Sequence, residues 1–236
     1  TLPYERLTPD RGATHQRIRS LAALEDRLAP RPPLIVVSAL AASQKTLEPK
    51  AFRSGSYRLE VGDVSAPGTL VDTWVEIGYE VEPTVEVPGT ISRRGGILDV
   101  FPVSSDVPYR IEFFGDEVDS IRVFDPETQR SVEPATSVTI VPAEETLPVR
   151  ANGERVRDLI GGLDFSGRAA RVEDRMTEEL GRILRGELRD ELAYYAGLFN
   201  HGTLFDYMPP GALLVTLRTS AIEDASRSAD RRLDQL

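Results

Sequence analysis

Arginines and a phenylalanine stand close together in a part of the sequence that is otherwise acidic. Arg93 and Arg94 precede a pair of glycines, and Arg110 and Phe114 occur in the apolar stretch that follows. A guanidinium can bind a carboxylate through two parallel hydrogen bonds, and an aromatic ring supplies apolar area for a partner to cover. This combination is typical of a protein-docking surface.

Strand geometry predicts which of these side chains point the same way. In an extended strand, Arg110, Glu112 and Phe114 share one face, and the apolar side chains between them point to the other. Glu112 shares this face and Arg93 adjoins Arg94, so both are candidates for additional contacts. A second interpretation stays open: the charges form a surface ladder, with Arg110 paired to Glu112 or Asp99, and Phe114 lies under a loop.

The sequence lacks the side-chain patterns of common catalytic and metal sites. It has no cysteine, and His15 and His201 lack the spacing of a metal-ligating motif. It has no glycine-rich phosphate loop with a following lysine, and we interpret Asp116-Glu117 as an exposed turn rather than the acidic pair of a nucleotide hydrolase. We therefore expect no catalytic residue, no metal and no cofactor in this chain.

The net charge of −10 is concentrated in one block. Residues 76–145 alone carry −10, whereas residues 1–75 carry +2 and residues 146–236 carry −2. A surface that coats nucleic acid should be basic, so this distribution disfavours DNA as the ligand. No apolar run reaches the roughly 18 residues of a membrane helix, and we expect a cytoplasmic protein. Thr1 in place of Met suggests a piece of a longer protein.

Helical spacing and short apolar runs alternate in the outer parts of the sequence, as in α/β proteins. Each outer part offers too few buried strands for a complete parallel sheet, so we infer one discontinuous α/β domain built from residues 1–78 and 143–236. Helices are predicted at 11–28, 39–46, 67–79, 168–186, 187–199 and 221–236, and strands at 34–37, 57–61 and 212–216.

The middle part, residues 79–142, has the pattern of a small β domain. Turn residues recur at short intervals, and β-branched residues alternate between them. Strands are predicted at 84–87, 96–101, 109–114, 120–124 and 137–141. We expect a mostly antiparallel unit inserted into the α/β domain. A domain of this size buries too little surface to be very stable alone, so it should lean on its neighbours.

Residues 88–131, with the sequence PGTISRRGGILDVFPVSSDVPYRIEFFGDEVDSIRVFDPETQRS, resemble a known family. They are similar to the UvrB-homology module near the start of the bacterial transcription-repair coupling factors (Mfd). The runs RGGILDVFP and RIEFFGDEVDSIRVFDPETQR carry the resemblance, and the flanking helices and the LLVTL run fit the same module. RGGILDVFP is closer to the coupling factors than to the RGDVIDIFP type of run in UvrB.

The resemblance implies a fold and a partner. The fold would be a degenerate RecA-like domain of the P-loop NTPase type, without a Walker A motif, interrupted by a small β domain that binds UvrA. Arg94, Arg110 and Phe114 match the family's UvrA-contacting positions. The module would recruit nucleotide-excision repair to stalled RNA polymerase, and the protein's own C-terminal domain would cover the same surface. ATP, Mg, DNA and RNA polymerase would be bound by other domains, which include an ATP-dependent DNA translocase.

Other functions stay open at this point. The chain could be a fragment of a UvrB-type damage-recognition protein, part of a nucleotide hydrolase whose phosphate loop lies outside the chain, or a direct DNA-binding domain. For the docking module, we expect Arg110→Ala to abolish UvrA capture while leaving the fold nearly unchanged.

Overall fold

The computed structural model describes residues 10–26, 29–147, 158, 161–162, 170–185, 187 and 195–233. In chain order, its helices are α1 (Arg11–Glu25), α2 (Ala39–Ser43), α3 (Pro49–Ser54), α4 (Pro67–Glu76), α5 (Ala170–Leu184), α6 (Ala196–Phe199) and α7 (Thr219–Leu233), with a 3-10 helix at Leu204–Tyr207. Within the described residues, no helix has the length and apolar character needed to cross a membrane.

The strands form one large sheet and one small one. Their bounds are β1 (Tyr57–Glu60), β2 (Glu80–Val81), β3 (Thr90–Arg94), β4 (Ile97–Val100), β5 (Tyr109–Phe114), β6 (Glu117–Phe124), β7 (Ser131–Ala135) and β8 (Ser137–Ile140). The large sheet has the order β2-β3-β4-β5-β6-β7, and β1 pairs with β8. Every pairing is antiparallel except that of β2 with β3. The predicted mostly antiparallel β unit is therefore confirmed.

One face of the large sheet packs against the helices. Alternate residues of neighbouring strands point inward, and this period of two makes a single apolar face. Helix α4 covers that face, and helix α1 joins the same core. The fully buried members of this core include Ile18, Trp74, Ile77, Leu98, Ile111 and Ile121. The β unit thus shares its core with the flanking helices, as its small size led us to expect.

A polar network joins distant segments at the edge of this core. The single Nε–H of Arg17 in α1 is shared between the two carboxylate oxygens of Glu145, with Nε–O distances of 2.9 and 3.0 Å. The Thr46 hydroxyl donates to the same carboxylate, and the Asn200 side chain donates to the Glu145 carbonyl. Burial raises the pKa of Glu145, and the charge of Arg17 opposes that shift. These contacts join segments that precede the large sheet in the chain, at Arg17 and Thr46, to segments that follow it, at Glu145 and Asn200.

Two predicted buried strands of the outer parts are wrong. Residues 34–37 and 212–216 are without strand pairing, and among their side chains Leu34, Val36 and Leu213 are 87–90% exposed. A continuous apolar run becomes a buried strand only where neighbouring strands supply hydrogen bonds. Neither run has such a neighbour among the described residues.

Of the remaining predicted strands and helices, most are confirmed, one is wrong and one lies mostly outside the described residues. The strand predicted at 84–87 is wrong, since the chain there is irregular and β2 and β3 flank it. Strands β2, β3 and β7 and helix α3 were not predicted; polar or proline residues interrupt the alternation of β3 and β7. Strands β1, β4, β5, β6 and β8 and helices α1, α2, α4, α5 and α7 confirm predicted elements, with small shifts of their ends. The predicted helix at 187–199 falls mostly outside the described residues, which include only α6 of it.

The shared core makes a testable prediction. Ile111→Ala should lower the free energy of unfolding by about 2–5 kcal/mol, because a fully buried aliphatic side chain is lost at the centre of the sheet. Urea unfolding followed by far-ultraviolet circular dichroism and by the fluorescence of Trp74, the chain's single tryptophan, measures this loss. The two signals should change in one coincident transition. Separate transitions would contradict a core common to β-sheet and helices.

Candidate functional site

The outer face of the large sheet carries the sequence-predicted site. We define the outer face by the residues that point away from the core: Arg94, Ile97, Asp99, Arg110, Glu112, Phe114 and Arg122. The register places Asp99 directly opposite Arg110, and Ile97 between Arg94 and Glu112. The two sequence-predicted arginines are therefore brought together from strands β3 and β5, one on each side of β4.

The carboxylate of Asp99 holds both arginines. Arg110 donates from Nε to Oδ1 at 2.8 Å and from Nη2 to Oδ2 at 2.9 Å, and Arg94 donates from Nη2 to Oδ2 at 2.7 Å. The Asp99 side chain is completely buried. These hydrogen bonds raise the pKa of Arg110, so its charge is permanent. One acid against two guanidiniums leaves a local excess of positive charge.

Arg110 is fixed more tightly than Arg94. Its Nη1 donates to the carbonyl of Gln129 at 3.1 Å, and its guanidinium lies 4.9 Å from the ring centre of Phe124. Only 15% of the Arg110 side chain is exposed, compared with 51% for Arg94. The ladder interpretation was therefore correct for one pair, Arg110 with Asp99. Half of the Arg94 side chain is in solvent, so N–H groups of its guanidinium stay accessible to a partner. The guanidinium of Arg110 is held rigidly, and only a small part of the side chain is exposed.

Phe114 lies in the open at the end of β5. Its side chain is 82% exposed, so the alternative that it lies under a loop is wrong. The preceding residue, Phe113, packs against the core, as the alternation of a strand requires. The chain then turns at Gly115, whose φ of +64° suits glycine. Because the Phe113 amide donates to the Gly96 carbonyl, Phe114 lies at the same end of the sheet as the turn that follows Arg94.

The two additional candidates differ in position. Glu112 is half-buried on the outer face and accepts a hydrogen bond from the Ser120 hydroxyl at 2.9 Å. Arg93 is opposite Leu98 in the register and therefore projects from the other face of the sheet. Its guanidinium lies beside Gly68 at the start of α4. The structure thus groups Glu112 with the predicted site and places Arg93 apart from it.

Other residues of the site were missed by sequence reasoning. Phe124 and the Gln129 carbonyl position Arg110, but their spacing in the sequence does not indicate this role. Arg122 lies directly opposite Arg110 on β6, which strand alternation could have indicated. No group of three or more acidic or histidine side chains able to hold a metal ion occurs in the described part of the chain.

The geometry changes the expectation for Arg110→Ala. The substitution leaves the buried Asp99 with Arg94 as its remaining cation, so we expect the free energy of unfolding to fall by about 3–5 kcal/mol. Arg94→Ala is the matched control, because it retains both hydrogen bonds from Arg110 and should cost about 1 kcal/mol. Urea denaturation measures both. Equal losses in the two variants would show that Arg110 does not anchor Asp99.

Comparison with known proteins places this site in a family. Residues 57–145 match the family model described as the UvrB interaction domain. The transcription-repair-coupling factor of Bacillus subtilis is 34% identical over 220 residues, covering 89% of this chain and 18% of that protein. The coupling factor of Myxococcus xanthus is 40% identical over 146 residues, covering 62% of this chain and 12% of that protein.

A second group of relatives shares the same region. The UvrABC system protein B of Fervidobacterium nodosum is 31% identical over 183 residues, covering 75% of this chain and 28% of that protein. The chain therefore spans less than a third of the length of each of these relatives. Residues 57–145 belong to the UvrB interaction domain family, within a chain homologous to the transcription-repair-coupling factors and to UvrB, as the resemblance in the sequence had indicated.

Proposed function

We propose that this chain is the protein-docking module of a transcription-repair-coupling factor and that it binds UvrA through Arg94, Arg110 and Phe114. The observation that carries the proposal is Phe114, a phenylalanine 82% exposed at the same end of the sheet as a guanidinium held in place. An exposed aromatic ring gains free energy when a partner covers it. Binding residues of this kind supply a large share of the affinity at protein interfaces.

The buried Asp99 prepares the arginines for binding. Because Asp99 holds both guanidiniums in the free protein, little side-chain entropy is lost when a partner arrives. The ion pair with Asp99 engages Arg94 through Nη2, so the other donors of this half-exposed side chain can reach a carboxylate of UvrA. Electrostatic complementarity of this type favours an acidic patch on the partner.

The surroundings of Phe114 favour a protein partner over DNA. Asp116, Glu117 and Asp119 are exposed in and after the turn that follows it. These carboxylates would repel a phosphate backbone that approached this end of the sheet. The exposed carboxylates beside Phe114 therefore favour a protein partner, because a protein surface can place neutral or basic side chains opposite them.

The wider role of the module is part of the same proposal and is supported by the match to transcription-repair-coupling factors. We propose that the module recruits UvrA to stalled RNA polymerase, that it performs no catalysis itself, and that it works in the cytoplasm. ATP, Mg, DNA and RNA polymerase would be handled by other domains of the whole protein, and its C-terminal domain would mask the outer face. A degenerate RecA-like domain remains our proposal for the outer segments, and the domain limits at 78/79 and 142/143 remain predictions.

A UvrB-type protein is the second candidate. The match to UvrABC system protein B over 183 residues supports it. Both candidates would use the same domain for the same partner, so the proposed contact with UvrA does not depend on the choice between them. The hydrolase and DNA-binding alternatives have no comparable support.

Phe114→Ala tests the proposal most cleanly. Removing a central interface aromatic should weaken UvrA binding by about 2–4 kcal/mol, which is roughly thirtyfold to nearly a thousandfold. The melting temperature should stay unchanged, because the ring is mostly in solvent in the free protein. Calorimetric titration of the 236-residue chain with purified UvrA measures the binding.

The matched control is Phe205→Ala, which removes the same side chain from the 3-10 helix, outside the large sheet. Phe205 is 48% exposed, so its loss should be tolerated and UvrA binding should persist. Unchanged binding by Phe114→Ala, or an equal loss in both variants, would contradict the assigned surface.

A further inference from the structure

Arg122 lies on the outer face and has no hydrogen-bond or ion-pair partner among the residues that the structure describes. It is directly opposite Arg110 in the pairing of β5 with β6, and it is exposed. Like charges directly opposite each other in a sheet are unfavourable. Asp99 compensates the charge of Arg110, but no hydrogen bond or ion pair from the guanidinium of Arg122 occurs among the described residues. Within the described part of the chain, Arg122 is therefore a cation without an ion pair in the most acidic block of the sequence.

An open cleft of about 480 Å³ has this arginine among its lining residues. It follows β6 and β7, and its lining includes Arg122, Asp119 and the exposed apolar side chains Val61 and Val132. Asp119 and Glu133 line the same cleft, yet neither forms an ion pair with Arg122. The cleft thus offers a cation beside apolar surface, a combination that a neighbouring protein can cover.

The register links this cleft to the proposed docking site. Arg94 and Phe114 lie on strands β3 and β5, and Arg110 lies between them and Arg122 across the outer face. A protein that covers Phe114 and Arg110 can extend over β6 without crossing to another face. Arg94 on β3, Arg110 on β5 and Arg122 on β6 would then all face the partner. The single carboxylate of Asp99 neutralises the charge of one of these three arginines.

We propose that Arg122 is a further UvrA-binding residue and that it pairs with a carboxylate of UvrA at the edge of the interface. This inference rests on the proposed function, and it extends the contact surface from β3–β5 to β6 and the cleft beside β7. Charge complementarity selects the partner's chemistry: an acidic side chain relieves the repulsion between Arg122 and Arg110 that the free protein retains.

The test is charge reversal at this position. Arg122→Glu should weaken binding of purified UvrA by about tenfold or more in calorimetric titration, because an attraction becomes a repulsion. Its melting temperature should stay at or above that of the wild type, since the opposed charges on β5 and β6 are relieved. Arg218→Glu is the control: it changes the net charge equally at an exposed residue outside the sheet and should bind UvrA like the wild type.

The outcomes separate this inference from the proposed function. If Phe114→Ala loses binding while Arg122→Glu retains it, the docking site stands and the role of Arg122 is overturned. An equal loss in Arg218→Glu would also overturn it, since net charge alone would then explain the effect. If the wild-type chain does not bind UvrA at all, the proposed function and this inference both fail.

Discussion

The completely buried carboxylate of Asp99 is the interaction on which the outer face depends. It lies in β4 between buried apolar neighbours, and burial of a charge is costly unless cations and hydrogen bonds compensate it. Arg94 and Arg110 provide that compensation from the strands on either side. The same contacts that satisfy Asp99 fix the two guanidiniums at the surface, so one requirement of folding also positions two residues of the proposed binding site.

This dependence separates stability from recognition within a few residues. Arg110 is mostly covered and contributes to the fold as well as to the proposed surface, whereas Phe114 is mostly exposed and contributes little to the core. Arg94 is intermediate, with half of its side chain in solvent. The shared apolar core beneath, with Trp74 on the helix and Ile111 on the sheet, keeps the strands in register and so keeps these side chains on one face.

Local patterns predicted the part of the fold that local physics controls. The alternation of apolar residues placed β5 at its observed bounds and assigned Arg110, Glu112 and Phe114 to one face. Sequence reasoning could not decide whether Arg110 was free or paired, because the pairing depends on the register with Asp99. For this reason the substitution Arg110→Ala, expected at first to spare the fold, is now expected to destabilise it.

Predictions that depended on long-range partners were less successful. The apolar runs at 34–37 and 212–216 have the composition of buried strands, yet their side chains are exposed because no described strand pairs with them. Arg93 was grouped with the site by its position in the sequence, but strand alternation turns it to the other face. For the two apolar runs the missing information was which neighbours the fold supplies, whereas for Arg93 it was where strand β3 lies.

Direct calorimetric titration of the intact 236-residue chain with purified UvrA tests the central claim, that the outer face of this sheet is a protein-docking surface. We expect saturable binding that is weakened at least about thirtyfold when Phe114 alone is replaced by alanine in a chain that melts at the wild-type temperature. Absence of saturable heat with the wild-type chain, or undiminished binding by the alanine variant, would contradict it.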